Sequence, residues 1–103
     1  MCLLDYGRRT YRPPAALATF VSARDRVCQF CNQPAYRCDL DHRIPWATGG
    51  TTSAANLGPL CRRHHRAKDR GAWQLDRQPD GTITWTSPTG KRYRRPPPSY
   101  EDP

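Results

Sequence analysis

Apolar positions along this chain fall into short stretches whose spacing changes with position. Over residues 14–26, Leu17, Phe20, Val21 and Arg24 recur at helical spacing behind prolines that a first turn tolerates, which predicts a short amphipathic helix. Over 36–42, Tyr36, Cys38 and Leu40 alternate with Arg37, Asp39 and Asp41, the period of a half-buried strand, and residues 43–46 read as a second extended piece. Residues 48–53 are a loop by composition. Residues 62–70 lack glycine and proline and run into Gly71, the usual residue just past a helix end, so a second helix is expected. Beyond it, strand-forming runs at 73–76, 82–86 and 91–94 are separated by Pro79-Asp80-Gly81 and Ser87-Pro88-Thr89-Gly90, the pattern of a small β-meander. Residues 1–12 show no period and read as a flexible tail or the end of a segment continuing upstream. Residues 95–103 read as a proline-rich tail, leaving one domain over 13–94.

Length and composition narrow this picture. A chain of 103 residues with 36% apolar content buries little surface, so a staple is expected. Seventeen Lys and Arg against nine Asp and Glu give a net charge of +8, clustered around 8–12, 24–26, 62–70 and 91–95. Basic side chains on phosphates release condensed counterions, so a nucleic acid is the natural partner; solubility is the plainer explanation of the same charge. No apolar run reaches membrane-spanning length and no secretory signal is present, which implies a cytoplasmic protein without membrane contact. In a reducing compartment the five cysteines read as metal ligands and spare thiols rather than disulfides.

The chemistry concentrates at two pairs. Cys28-x2-Cys31 and Cys61-x2-His64 have the spacing of metal half-sites, because a two-residue spacer lets each pair converge on one tetrahedral zinc. The 29 residues between Cys31 and Cys61 exceed the linker of a Cys2His2 finger and carry Asp41-His42 and Asn56. His65 follows His64, and neighbouring helical side chains diverge by about 100°. If His64 completes the zinc, His65 points elsewhere, with Asp41 as a hard-oxygen companion for a second cation; otherwise it is a surface residue near Asp69.

These residues resemble a known family. Asp41-His42-Arg43-Ile44-Pro45, then Gly49-Gly50, Asn56-Leu57, Leu60-Cys61 and His64-His65-x2-Lys68, are similar to the HNH endonuclease motif. The likeness is greatest to HNH modules at the C-terminal ends of actinobacterial repeat-family proteins, since Arg24-Asp25-Arg26 and Trp85-Thr86-Ser87-Pro88-Thr89-Gly90 also fit, and it spans roughly residues 24–93. The resemblance implies an α+β, zinc-stapled, treble-clef-like ββα-metal domain, a hairpin and a helix around one catalytic cation. It implies Asp41 and His65 as ligands of that cation, His42 as general base and Asn56 as the residue orienting the loop. Cys28, Cys31, Cys61 and His64 would bind structural Zn2+, His64 standing where many of the family carry cysteine. Arg43, Arg62, Arg63, Arg66 and Lys68 are candidates for contacting DNA, most simply double-stranded.

The chemistry suits those roles. A neutral imidazole accepts a proton from water near pH 7, a divalent cation such as Mg2+ or Mn2+ offsets charge on phosphate, and an amide that cannot titrate serves orientation. The alternative function is a non-catalytic zinc module that binds nucleic acid; a third is a cleavage module that needs an upstream targeting domain. Cys38 is expected to be a buried strand thiol, and at least two of Trp46, Trp73 and Trp85 are expected in the core. Pro97-Pro98-Ser99-Tyr100 matches a docking-motif pattern but reads as tail.

Overall fold

A computed structural model describes residues 4–97; Cys2 and all but the first residue of Pro97-Pro98-Ser99-Tyr100 lie outside that range. The chain is α+β, and its contacts divide it into two compact units, residues 1–65 and 66–103. The division falls inside the stretch expected as one domain.

In the first unit, α1 spans Ala15–Asp25, after two prolines, and buries Leu17 and Val21. Phe20, which shares their spacing, stays 40% exposed, so the packed face is narrower than the pattern suggests. The helix stops at Arg26, whose φ of 65° turns the chain while its N–H still reaches Ser22 O. Strands β1 (Asp39–His42) and β2 (Leu57–Leu60) pair antiparallel, with Asp39 opposite Leu60 and His42 opposite Leu57. Leu57 meets Leu17 and Val21 in a small core completed by Leu4, Tyr6, Leu40 and Ala54. Burying each such aliphatic side chain contributes about 1.5–3 kcal/mol. In β2, the end of the Gln29 side chain fills the space that a Cβ on Gly58 would take. Pro59 costs no ladder bond when its missing N–H lies on the open side of a two-stranded ribbon.

Arg24 ties α1 to this hairpin. Its guanidinium forks onto the Asp25 carboxylate and donates to Ala54 O at 2.6 Å and Leu57 O at 2.8 Å, a bidentate geometry that fixes the entry to β2.

Several expectations need correction. The strand expected over 36–42 begins only at Asp39, because Ala35–Arg37 form a 3-10 turn after Pro34. Cys38 is accordingly no strand thiol: half-buried, it donates to Pro34 O and Gln33 O at the end of that turn. The extended piece expected over 43–46 is replaced by a loop and a 3-10 turn at Trp46–Thr48.

Residues 4–8, read as tail, are laid along the loop that precedes β2. Tyr6 N–H donates to Thr52 O, Thr52 N–H to Gly7 O and Ala54 N–H to Leu4 O, at 2.7–2.9 Å. Arg8 donates to Trp46 O and Gly50 O and stacks on the Trp46 ring at 3.8 Å. Two apolar contacts, Leu4 and Tyr6 on the core, are too few to write a period, and backbone bonds and one arginine supply the rest of the hold.

Helix α2 (Arg62–Gly71) follows β2 directly; its first turn belongs to the first unit and its later turns to the second. Gly71 is still helical, and the left-handed residue after the helix is Ala72, with φ 58°, which corrects the expected cap. The expected meander is present as β3 (Gln74–Arg77), β4 (Ile83–Thr86) and β5 (Arg92–Arg95), antiparallel in that order. Leu75 faces Trp85 across the first pair and both are buried with Ile83. Trp73 packs edge-on to Trp85, with ring centroids 6.3 Å apart. Of the three tryptophans only Trp85 is fully buried; Trp46 and Trp73 are half-buried.

Candidate metal centres and active site

The first half-site is a knuckle. Cys28 N–H donates to Gln33 O and Ala35 N–H to Arg26 O, a short bridge that turns Cys28 and Cys31 to one side. Gln29 N–H reaches Pro59 O, bringing the knuckle to the end of β2, where Cys61 begins the run into α2. Cys28, Cys31, Cys61 and His64 consequently present four donor atoms within 4.8 Å of one another. Cys31 Sγ and Cys61 Sγ stand 3.8 Å apart, and His64 Nδ1 lies 3.1 Å from Cys61 Sγ and 3.9 Å from Cys28 Sγ. Two sulfurs at ~2.3 Å from a tetrahedral zinc are separated by about 3.8 Å, so the donor set fits a closed zinc site.

The protein side chains arrange charge accordingly. Burial works to raise the Cys28 thiol, but N–H groups of Cys61, Phe30 and Cys31 outweigh it and hold the thiol below its ordinary value. Burial pushes Cys31 up to about 11, so a cation must displace its proton. Burial, and then the Arg63 charge, lower His64, keeping it a neutral donor further into acid. Phe30 stacks on the His64 ring at 4.4 Å and fixes its plane. None of the four described cysteines is in a disulfide.

The second centre lies one residue on. Strand parity puts Asp39 and Asp41 on one face of β1. Both meet His65: Nε2 is 3.2 Å from Asp41 Oδ1 and Nδ1 is 3.1 Å from Asp39 Oδ2. Two ligands at right angles around a cation at ~2.1 Å would be about 3.0 Å apart, so the Asp41 and His65 atoms fit one shared divalent ion. Asp39, which sequence reasoning missed, is placed to fix the His65 ring so that Nε2 faces Asp41, a common role for a carboxylate behind a metal-binding imidazole. The signal was there in the i, i+2 spacing of the two aspartates on an expected strand.

His42 follows Asp41 and is 8% exposed. Its Nε2 lies 2.9 Å from Thr52 Oγ1, its face is stacked on Tyr11 at 5.1 Å, and the Trp46 ring meets it edge-on at 5.9 Å. Asn56 clamps the intervening loop through its amide. Its Oδ1 accepts from Ile44 N–H at 2.9 Å, and Nδ2 donates to Ile44 O at 3.1 Å and Thr51 O at 2.8 Å. Gly50 leaves room for this closure, since a Cβ there would strike the Ile44 carbonyl.

The basic candidates separate. Arg62, Arg63 and Arg66 are exposed and Arg43 is half-buried, whereas Lys68 is only 9% exposed and is not displayed as a surface cation. Arg62 approaches Asp39 Oδ1 at 3.6 Å. With Arg37 and Arg63 it lines a cavity of about 410 Å³ beside the cysteine cluster. Among the described residues no helix is long and apolar enough to cross a membrane.

Comparison with known proteins gives one family match. Residues 28–71 match the HNH endonuclease family. The match covers the Cys28/Cys31 and Cys61/His64 pairs, β1, β2 and α2, and therefore both candidate metal centres. The chain is also similar to the uncharacterized proteins Rv3776 and Rv2100 of Mycobacterium tuberculosis, 48% and 46% identical over 86 residues. Each alignment covers 81% of this chain and 16% of the relative, so the chain spans about a sixth of those proteins' length. The uncharacterized protein Mb1179c of Mycobacterium bovis is 31% identical over 68 residues, 64% of this chain and 15% of its own length. No solved structure matches the chain. HNH domains act on nucleic acids, which accords with the net charge of +8.

Proposed function

We propose that this protein is a metal-dependent endonuclease that hydrolyses phosphodiester bonds of double-stranded DNA. The observation that supports it best is the 3.2 Å approach of His65 Nε2 to Asp41 Oδ1, next to His42 in sequence and distinct from the four-donor cysteine cluster. In this reading Cys28, Cys31, Cys61 and His64 hold structural Zn2+, and Asp41 and His65 hold Mg2+, Mn2+ or a similar hard cation. When bound there, that cation supplies charge neutralisation for the phosphate and the departing 3′ oxygen.

His42 is the general base: it takes a proton from water as the water's electron pair moves to phosphorus, and the bond from phosphorus to the 3′ oxygen breaks. Asn56 holds the loop that carries Ile44 and Thr51, and Asp39 holds the His65 ring. The exposed Arg62, Arg63 and Arg66 side chains meet backbone phosphates, with Arg43 nearer the strand end.

A supercoiled-plasmid assay with zinc-loaded protein and added Mg2+ or Mn2+ tests this. Conversion to open-circular or linear DNA is expected; intact plasmid across several divalent ions would refute the reading.

A further inference from the structure

Resting on the reading of His42 as the base, we infer that Thr52 and the N-terminal segment ending at Tyr11 fix the tautomer of His42, making Nδ1 the nitrogen that accepts the proton. Tyr11 and Thr52 are positioning residues in this account.

One hydroxyl sets the tautomer. Thr52 is 0% exposed, and its Oγ1 carries a single proton. That proton goes to the Tyr11 carbonyl, 3.2 Å away. The same oxygen lies 2.9 Å from His42 Nε2. With its proton committed to Tyr11, Oγ1 can only accept from the ring, so Nε2 carries hydrogen and the lone pair of the neutral imidazole is on Nδ1.

Everything around the hydroxyl keeps it in this role. The backbone of Thr52 is held at both ends by the N-terminal segment, through Tyr6 N–H to Thr52 O and Thr52 N–H to Gly7 O, each 2.9 Å. Arg8 locks that segment to Trp46 O and Gly50 O. The ring itself sits between aromatic neighbours. Tyr11 is nearly parallel to it at 13°, and Trp46 meets it at 66°. A flip of the imidazole would sweep through both. The parallel Tyr11 face also favours the imidazolium formed after proton transfer, by cation–π attraction. A stretch without sequence periodicity thereby becomes part of the site.

The test needs no turnover. In zinc-loaded protein without added divalent ion, ¹⁵N-edited NMR of the histidine side chains should show His42 with protonated Nε2 and an unprotonated, pyridine-like Nδ1. Thr52→Val should shift both nitrogens toward a mixture of tautomers, and Thr52→Ser should restore the wild-type pattern. In the plasmid assay, Thr52→Val should lower kcat roughly tenfold or more with KM for DNA little changed, and Thr52→Ser should recover most of it. In the full chain, Arg8→Ala, which unlocks the segment from Trp46 O and Gly50 O, should move the spectrum in the same direction while zinc content stays at one per chain. A wild-type spectrum with the proton on Nδ1 overturns the inference, as does a Thr52→Val variant that keeps the wild-type tautomer. If the expected tautomer shift appears in a protein that cuts no DNA, the positioning by Thr52 stands and the nuclease reading falls.

Discussion

His64 and His65 are neighbours in one helix, yet they enter opposite environments. His64 joins three sulfurs in a set of four soft and borderline donors within 4.8 Å, packed against the end of β2. His65 faces two carboxylates, with Asp41 at 3.2 Å and Asp39 at 3.1 Å. Four protein ligands leave a tetrahedral zinc nothing to bind, whereas one carboxylate and one imidazole leave a hard cation open to water and phosphate. The difference teaches that a one-residue step, about 100° around a helix, is enough to send one imidazole among sulfurs and its neighbour between carboxylates.

The strongest way to break that comparison is to remove a structural ligand. Cys28→Ala should release zinc and unfold the first unit, since binding energy of order ~10 kcal/mol is folding energy in such sites. Hydrogen exchange should show amides in 4–65 losing protection, and unchanged protection there would contradict a structural role. Acid should do the same more gradually, because protons compete for the thiolates: affinity falls as pH falls, and does so although His64 is held below its ordinary value and remains a donor. Zinc release followed with a chromogenic chelator across a pH series measures this.

Removing the base should leave the structural centre untouched. His42→Ala is expected to lower nicking by about 10²–10⁴-fold with zinc content and circular dichroism unchanged; retained turnover would remove His42 from that role. A smaller effect is expected behind the open site. Asp39→Asn keeps the shape of the side chain but weakens the hold on His65 Nδ1, so affinity for Mn2+ should fall about 10- to 100-fold, read by titration calorimetry on zinc-loaded protein. An unchanged affinity would make Asp39 a plain surface partner of Arg62.

The mildest case concerns Cys38, outside both centres. Burial first, then the charges of Cys28, Cys61 and Cys31, raise its thiol to about 11. The group is thus held as thiol below that value and becomes thiolate as pH rises through it. At pH 8 iodoacetamide should alkylate it about 100-fold more slowly than an ordinary cysteine, and Cys38→Ser should bind zinc at full stoichiometry. Loss of zinc in that variant would make Cys38 a ligand.

Much of the molecule was legible beforehand where a signal is local. The helix at Leu17 and Val21, the loop before Asn56, the helix after Cys61 and the meander around Trp85 follow from periods and turn residues. The Cys28/Cys31 and Cys61/His64 pairs have the spacing of metal half-sites. The β2 strand did not announce itself, because Gly58 and Pro59 are poor strand formers and only pairing with β1 makes them one.

What the sequence by itself determined was the chemistry available: which donors exist, in which pairs, and on which kind of element. Tertiary structure decided which of those donors meet. It brought Asp39 to His65 across the gap between β1 and α2, set the Thr52 hydroxyl between His42 and Tyr11, and turned an apparent tail into a strap along the loop before β2. The physical reason is that a hydrogen bond between residues 26 or 41 positions apart leaves no period in either segment, so only the folded chain reveals it.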